Sequence, residues 1–163
     1  MKPQAFVVMP DDHARAWNVV GERITVLAPN AATGSDEVFL QQGEEGSGPP
    51  PHSHAWDESF YVTRGCVDIS YGDRTVRATP GAFVHLPAGT VHGFRFGPGG
   101  GEMISIAGRE GNASRLFAAI DRDIPVGEPD VAKLIAIAGE CGVCVAAAPD
   151  VSHPIQSAGA EAS

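Results

Sequence analysis

The sequence has few cysteines and no long apolar run, and each shortage excludes a class of protein. Three cysteines are too few for the disulfide framework that stabilises a small secreted domain. No stretch approaches the roughly 20 apolar residues that a membrane-spanning helix requires. The N-terminus, MKPQAFVVMPDDHARAW, lacks the apolar core of a secretory signal and meets Asp11 and Asp12 early. We therefore expect a cytoplasmic protein with no membrane partner.

Basic residues are also scarce. The chain has 11 lysines and arginines against 20 acidic residues, which gives a formal net charge of −9. Nucleic acids select basic surfaces, so we expect no nucleic-acid partner. With 163 residues, 43% of them hydrophobic, the chain is long enough for one domain with a substantial core.

Glycine and proline, by contrast, are abundant, with 20 and 13 residues. They separate short β-prone runs, a pattern typical of a β-sandwich or β-barrel. The predicted strands cover residues 15–20, 22–28, 37–42, 59–63, 66–71, 74–78, 82–86, 91–96 and 102–107, and residues 97–101 are predicted as a loop.

The pattern changes from strands to helices near Gly108. Residues 113–121 place Leu116, Phe117 and Ile120 at helical spacing, and residues 129–139 form a second helix that proline opens and glycine closes. A short strand at 143–147 follows. We predict a β-barrel with N-terminal strands over residues 1–108, a helical extension packed on it over 109–149, and a disordered tail over 150–163.

Candidate metal ligands occur in the stretch GSGPPPHSHAWDESFYVTRG, residues 46–65. Side chains in a strand alternate between faces, so His52, His54 and Glu58 point the same way, with Phe60 beyond them. Histidine and glutamate are also common in solvated polar loops, and this remains the alternative for the histidine pair alone.

A second stretch, GAFVHLPAGTVHGFRF at residues 81–96, completes a resemblance to the cupin superfamily. The first cupin motif is a glycine, His-x-His, a glutamate and a closing glycine, and the second is Gly, Pro-x-Gly, His and Asn. The matching positions are Gly46, His52, His54, Glu58 and Gly65 in the first motif and Gly81, Pro87, Gly89 and His92 in the second. Phe96 replaces the asparagine, which removes a polar group near the site.

The resemblance implies an all-β fold, a cupin jelly-roll β-barrel with a short α-helical C-terminal extension. It also implies one divalent transition metal, Fe, Mn, Ni, Co, Cu or Zn, held by His52, His54, Glu58 and His92. The helical tail resembles that of small quercetinase-like bacterial cupins. Single-domain cupins often dimerise through edge strands, so a homodimer is expected.

Three functions follow from such a site. The first is a dioxygenase that uses O2 on an aromatic or enolisable small molecule, with Glu58 as catalytic proton acceptor. The second is a lyase, isomerase or decarboxylase that uses the metal as a Lewis acid. The third is a small-molecule-binding module without turnover. Phe60, Phe94 and Phe96 share the parity of the ligands and are predicted to bind substrate, with ordinary barrel packing as the alternative.

Three other features have alternative interpretations. The Cys141–Cys144 pair follows a predicted helix rather than preceding one, which favours packing over redox chemistry, and no further zinc ligands stand nearby. His85 either faces outward or supports the site. Trp56 either lines the mouth of the barrel or packs under a loop.

Overall fold

Antiparallel strands make up most of the computed structural model, which describes residues 3–109 and 111–146. The strands are β1 (Trp17–Val19), β2 (Glu22–Ala28), β3 (Glu37–Gly43), β4 (His52–His54), β5 (Glu58–Tyr71), β6 (Arg74–Ala78), β7 (Phe83–Leu86), β8 (His92–Ala107) and β9 (Val143–Val145). The helices are α1 (Asn30–Thr33), α2 (Ala113–Asp123) and α3 (Val131–Glu140), and a 3-10 turn spans Pro10–Asp12. The predicted all-β class with short helices is confirmed.

One curled sheet contains every strand described. Its main order is β1-β2-β3-β8-β4-β9, and β5 pairs with β6, β7 and β8. The two longest strands, β5 and β8, pair along their whole lengths, from Glu58 opposite Ala107 to Tyr71 opposite His92. The two predicted motifs meet through a different pairing, that of β4 with β8, where His52 lies opposite His92.

The strand β8 differs from the sequence prediction, because it continues through residues 97–101, which were predicted as a loop. The register shifts there: Gly65 pairs with Gly101, whereas Val67 pairs with Phe96. Gly65 and Gly100 both have positive φ, and a Cβ on Gly65 would lie 2.1 Å from the carbonyl oxygen of Gly100. Glycine at these positions therefore permits a bulge within the strand, where composition alone predicted a break.

The core has two parts. One is formed by side chains of β5, β6, β7 and β8, among which Val62, Ile69 and Met103 are almost fully buried. The other joins the inner face of β1, β2 and β3 to the two C-terminal helices.

Helix α2 packs through the predicted apolar stripe. Ile120 is buried, Leu116 and Phe117 are half-buried against the same cluster, and the ring of Phe117 meets Phe39 edge-on at a centroid distance of 5.2 Å. Asp130 caps the start of helix α3, because its side chain accepts a hydrogen bond from the backbone N–H of Lys133. The described part of the extension thus covers one end of the sheet. The predicted division into domains stays a prediction, and the predicted tail, 150–163, lies outside the described residues.

Among residues 3–109 and 111–146, no helix has the length and apolar character needed to cross a bilayer.

Candidate metal centre

Four side chains from three strands converge inside the sheet. His52 and His54 come from β4, Glu58 from the start of β5 and His92 from the start of β8, and one ligand atom from each lies within 4.8 Å of the others. The register places His52 directly opposite His92, and β9 pairs with the other edge of β4. Four predicted ligands therefore meet at one point, as the strand parity and the motifs indicated.

Backbone carbonyls fix the orientation of all three imidazoles. The Nδ1 atoms of His52, His54 and His92 lie 2.9, 2.8 and 2.9 Å from the carbonyl oxygens of Pro50, Trp56 and Thr90. A carbonyl oxygen only accepts, so each Nδ1 carries a proton and donates it. Each Nε2 is then left with its lone pair free for the cluster, which is the arrangement that metal-binding histidines need.

The donor set at the cluster fits a cation. The Nε2 atoms of His54 and His92 lie 3.1 and 3.0 Å from Oε2 of Glu58. With both Nδ1 atoms protonated, these nitrogens and the carboxylate face each other as acceptors unless a cation or a second imidazole proton lies between them. Imidazole nitrogen with one carboxylate suits Fe, Mn, Ni, Co, Cu or Zn, and four protein ligands leave positions open on a five- or six-coordinate ion.

The charges of the cluster follow from the same contacts. Burial raises the pKa of Glu58; when His54 and His92 carry the second imidazole proton, their hydrogen bonds and charge outweigh burial and lower that pKa to about 2. Burial, together with the charge of His92, lowers the pKa of His52 to about 4. Burial lowers the pKa of His92, but its contact with Glu58 prevails and leaves that pKa raised. Glu58 is therefore ionised at physiological pH, as a ligand must be.

A cavity of about 390 Å³ opens from this cluster towards the C-terminal helices. His52, His54 and Glu58 form part of one wall. The rest of the lining is mostly apolar and comes largely from α2, α3, β1, β9 and residues 48–50, with Trp56, Phe94, Glu22 and Gln41 completing it. Such a space suits a small molecule with an apolar body and few polar groups.

The three predicted substrate-binding phenylalanines have different positions. Phe94 lines the cavity, whereas Phe60 and Phe96 are almost fully buried in the core cluster behind it. Their rings meet Phe94 edge-on at centroid distances of 5.5 and 5.6 Å. Strand parity gave all three the same face, but it did not reveal that this face continues past the cavity into the packed core. A substrate-binding role stays a prediction for Phe94, and the structure favours the packing alternative for Phe60 and Phe96.

The features left open by the sequence also have clear positions. Trp56 is buried, stacks on the ring of His54 at 4.2 Å and also lines the cavity, so it supports a predicted ligand. His85 is exposed and its Nδ1 lies 2.9 Å from the hydroxyl oxygen of Ser59, outside the cluster. Cys141 is buried and Cys144 exposed, and both are free thiols.

Sequence reasoning missed two polar residues that line the cavity. Glu22 and Gln41 are buried on the inner faces of β2 and β3. A signal was present for Glu22, because it alternates in phase with the buried Ile24 and so stands on the apolar face of its strand. A charged residue on such a face is rare without a partner.

Glu22 is expected to make stability depend on pH. Burial raises the pKa of Glu22 from 4.5 to about 8. The charge of Arg95 on β8 lowers this pKa, and the charge of Glu58 on β5 raises it further. His52 and His54 are the other titratable groups on the cavity wall. The folded protein favours protonated Glu22. The resulting contribution to the free energy of unfolding is therefore complete below about pH 4.5 and is lost as the pH rises to about 8. Against Glu22→Gln, wild-type unfolding free energy should fall by at most about 1.4 kcal/mol per pH unit over that range. Denaturant titrations of both proteins test this, and parallel pH profiles would contradict it.

Comparison with known proteins supports the predicted family. Residues 38–106 match the family model described as the cupin domain. No curated protein matches the sequence at a significant level. Many solved structures share the fold, and three of them illustrate the range.

KdgF from a Halomonas species is 20% identical, with a TM-score of 0.58 over 65% of this chain and 94% of its own. An RmlC-like cupin from Shewanella frigidimarina is 17% identical, with a TM-score of 0.59 over 67% and 95%. The polyketide cyclase RemF from Streptomyces resistomycificus is 22% identical, with a TM-score of 0.55 over 64% and 80%. At these identities the likeness concerns the fold alone.

The family-model match over residues 38–106, together with the sheet and the two motifs, supports the cupin superfamily for this chain. The cluster of three histidines and one glutamate has the composition of a cupin metal site.

Proposed function

We propose that this protein is a metal-dependent cupin enzyme for an apolar small molecule, and within that class a dioxygenase for an aromatic or enolisable substrate. The observation that carries the proposal is that a cluster of three imidazoles and one carboxylate adjoins a mostly apolar cavity, with His52, His54 and Glu58 in the cavity wall. A closed structural metal site has no use for an adjoining cavity, whereas a catalytic one needs access for substrate.

The chain's own residues would divide the work as follows. His52, His54, His92 and Glu58 would hold the ion, which when bound would supply Lewis-acid chemistry at a substrate oxygen and a place for O2. Oε1 of Glu58 accepts a hydrogen bond from the hydroxyl of Ser105 at 3.4 Å, so this oxygen is held apart from the histidines. Glu58 is ionised and would take a proton from the substrate as a general base.

The helical extension would shape the substrate site. Phe117 and Leu116 of α2 and Leu134 of α3 line the cavity opposite the cluster, and Phe94 adds an aromatic face. These side chains would hold a flat apolar body and keep water from the reacting atoms.

One observation favours the non-oxidative alternative. Glu22 lines the same cavity and, with its pKa near 8, can both hold and release a proton close to neutral pH. A lyase or isomerase needs such a group for proton transfer, whereas insertion of O2 does not depend on it.

Oxygen consumption separates these functions. Protein loaded in turn with each of the six metals is offered a flavonol, a catechol and a 1,3-diketone, while an oxygen electrode and product chromatography run on the same samples. We expect stoichiometric oxygen uptake with at least one metal and substrate class. Conversion of a substrate without oxygen uptake would replace the dioxygenase by the Lewis-acid alternative, and binding without conversion of any kind would contradict both.

A further inference from the structure

The cavity contains a second polar group of residues, apart from the metal cluster. Glu22 and Gln41 lie on the neighbouring strands β2 and β3, where Gln41 pairs with Ile24, two residues along from Glu22. Both point to the inner face and line the cavity, and their exposed fractions are only 4% and 3%. They therefore belong to the cavity wall and not to the solvent-facing side of the sheet.

Both side chains have an oxygen without a partner. Oε2 of Glu22 and Oε1 of Gln41 make no hydrogen bond to any part of the chain that the structure describes. Glu37, a glutamate on β3 that is equally buried, instead accepts a hydrogen bond from the backbone N–H of Ser114 at 3.1 Å. A buried unpartnered oxygen costs free energy, and such a cost is commonly retained where a ligand supplies the missing bond.

We propose that Glu22 and Gln41 form a hydroxyl-binding subsite, so that the substrate is an apolar molecule with one oxygen function at the metal cluster and a separate hydroxyl group at this pair. The inference rests on the proposed function only for the metal end of the ligand. The subsite itself stands on the burial, position and unpartnered oxygens of the two side chains.

The two side chains can together donate one hydrogen bond to a ligand hydroxyl group and accept one from it. Burial, reinforced by the charge of Glu58, raises the pKa of Glu22 to about 8, so the carboxyl group is mostly protonated at neutral pH and its O–H can donate. The amide oxygen of Gln41 accepts. A hydroxyl group accepts the first bond and donates the second, which satisfies both oxygens.

Charged ligand groups fit the pair less well. A carboxylate would have to leave water for a cavity with mostly apolar walls and would stand near the amide oxygen of Gln41 and the negative charge of Glu58; the charge of Arg95, which also acts on Glu22, would offset only part of this. An ammonium group would have to leave water for a cavity with mostly apolar walls. A neutral hydroxyl group meets neither penalty.

The sheet connects the subsite to the metal cluster. Gln41 pairs with Met103 on β8, and Ser105, two residues further along the same face, donates to Oε1 of Glu58. Diagonal neighbours in an antiparallel pair are separated by roughly 7–8 Å. The subsite and the metal cluster thus lie on one continuous inner face. A molecule of a few fused or linked rings is long enough to reach from one to the other.

Thermal unfolding of ligand-free protein tests whether the pair is retained for a ligand. Glu22→Met and Gln41→Met keep an unbranched side chain of similar length and remove the unpartnered oxygen, so each should raise Tm by about 2–10 °C. Glu37→Met is the matched control and should lower Tm, because it removes the partner of Ser114. All samples contain a chelator, so the result does not depend on metal. A fall in Tm for both cavity variants would show a structural role and overturn the proposal.

Ligand binding provides the second readout, with 2-naphthol and naphthalene as probes in the same chelated samples. Fluorescence titration should show that wild type and Glu37→Met bind 2-naphthol roughly 10-fold more tightly than naphthalene. Glu22→Met and Gln41→Met should lose most of that preference. An unchanged preference in these variants, or no preference in wild type, would overturn the subsite. Absence of turnover in metal-loaded protein would instead overturn the proposed function and leave these results standing.

Discussion

Replacing His54 with alanine should weaken binding of a divalent metal by more than about 100-fold. His54 presents its Nε2 to the cluster from the short strand β4, and its ring is held from behind by the Trp56 carbonyl and the stacked indole. Loss of a residue that only supports a ligand costs about 10- to 100-fold in metal affinity, so loss of the ligand itself should cost more. The apolar core does not include this side chain, so the barrel should remain folded.

The measurement is a chelator-competition titration, with metal content per chain determined by elemental analysis and the fold checked by circular dichroism. His85→Ala is the matched control, because His85 is exposed and contacts Ser59 outside the cluster. It should bind metal as the wild type does. Equal affinity in His54→Ala and His85→Ala would show that the four residues do not act together as a metal site.

Three of the four candidate ligands could be predicted from sequence because they obey a local rule. His52 and His54 share a face through the period of two in a strand, and Glu58 follows with the same parity at the start of β5. The position of His92 depends on pairing across a long stretch of chain, which parity does not supply. His92 was instead predicted from the fixed spacing of the second motif. In the structure, the pairing of β4 with β8 places it opposite His52.

The cavity could not be predicted in the same way, because its walls come from elements distant in sequence. The apolar stripe of α2 was visible, but a stripe does not say which part of the barrel it covers, and Leu116 and Phe117 line the cavity as well as packing on the core. Phe60 and Phe96 show why strand parity alone could not decide between substrate binding and packing, since a shared face runs from the cavity into packed core. Glu22 could have been noticed, because its phase with Ile24 was readable, but its lack of a partner is a property of the folded structure.

Glu58→Gln should lower turnover by a factor on the order of 10²–10⁴ while most of the bound metal is retained. The amide keeps an oxygen donor close to where Oε2 of Glu58 lies, 3.1 and 3.0 Å from the Nε2 atoms of His54 and His92. It loses the negative charge, and with it the ability to accept a proton from the substrate. The substitution thus separates the two functions assigned to this carboxyl group, whereas His54→Ala removes the ion and activity together.

The comparison needs metal content and turnover on the same samples, with a substrate identified in the oxygen-uptake screen. Glu102→Gln is the matched control, since Glu102 makes its hydrogen bonds to Thr63 and Gln42 and does not line the cavity. It should leave both quantities unchanged. If Glu58→Gln loses its metal in proportion to its activity, Glu58 acts as a ligand alone, and Glu22 becomes the candidate for proton transfer because it is the other carboxyl group on the cavity wall. If Glu58→Gln turns over at the wild-type rate with full metal, Glu58 is neither the proton acceptor nor a ligand whose charge the reaction requires.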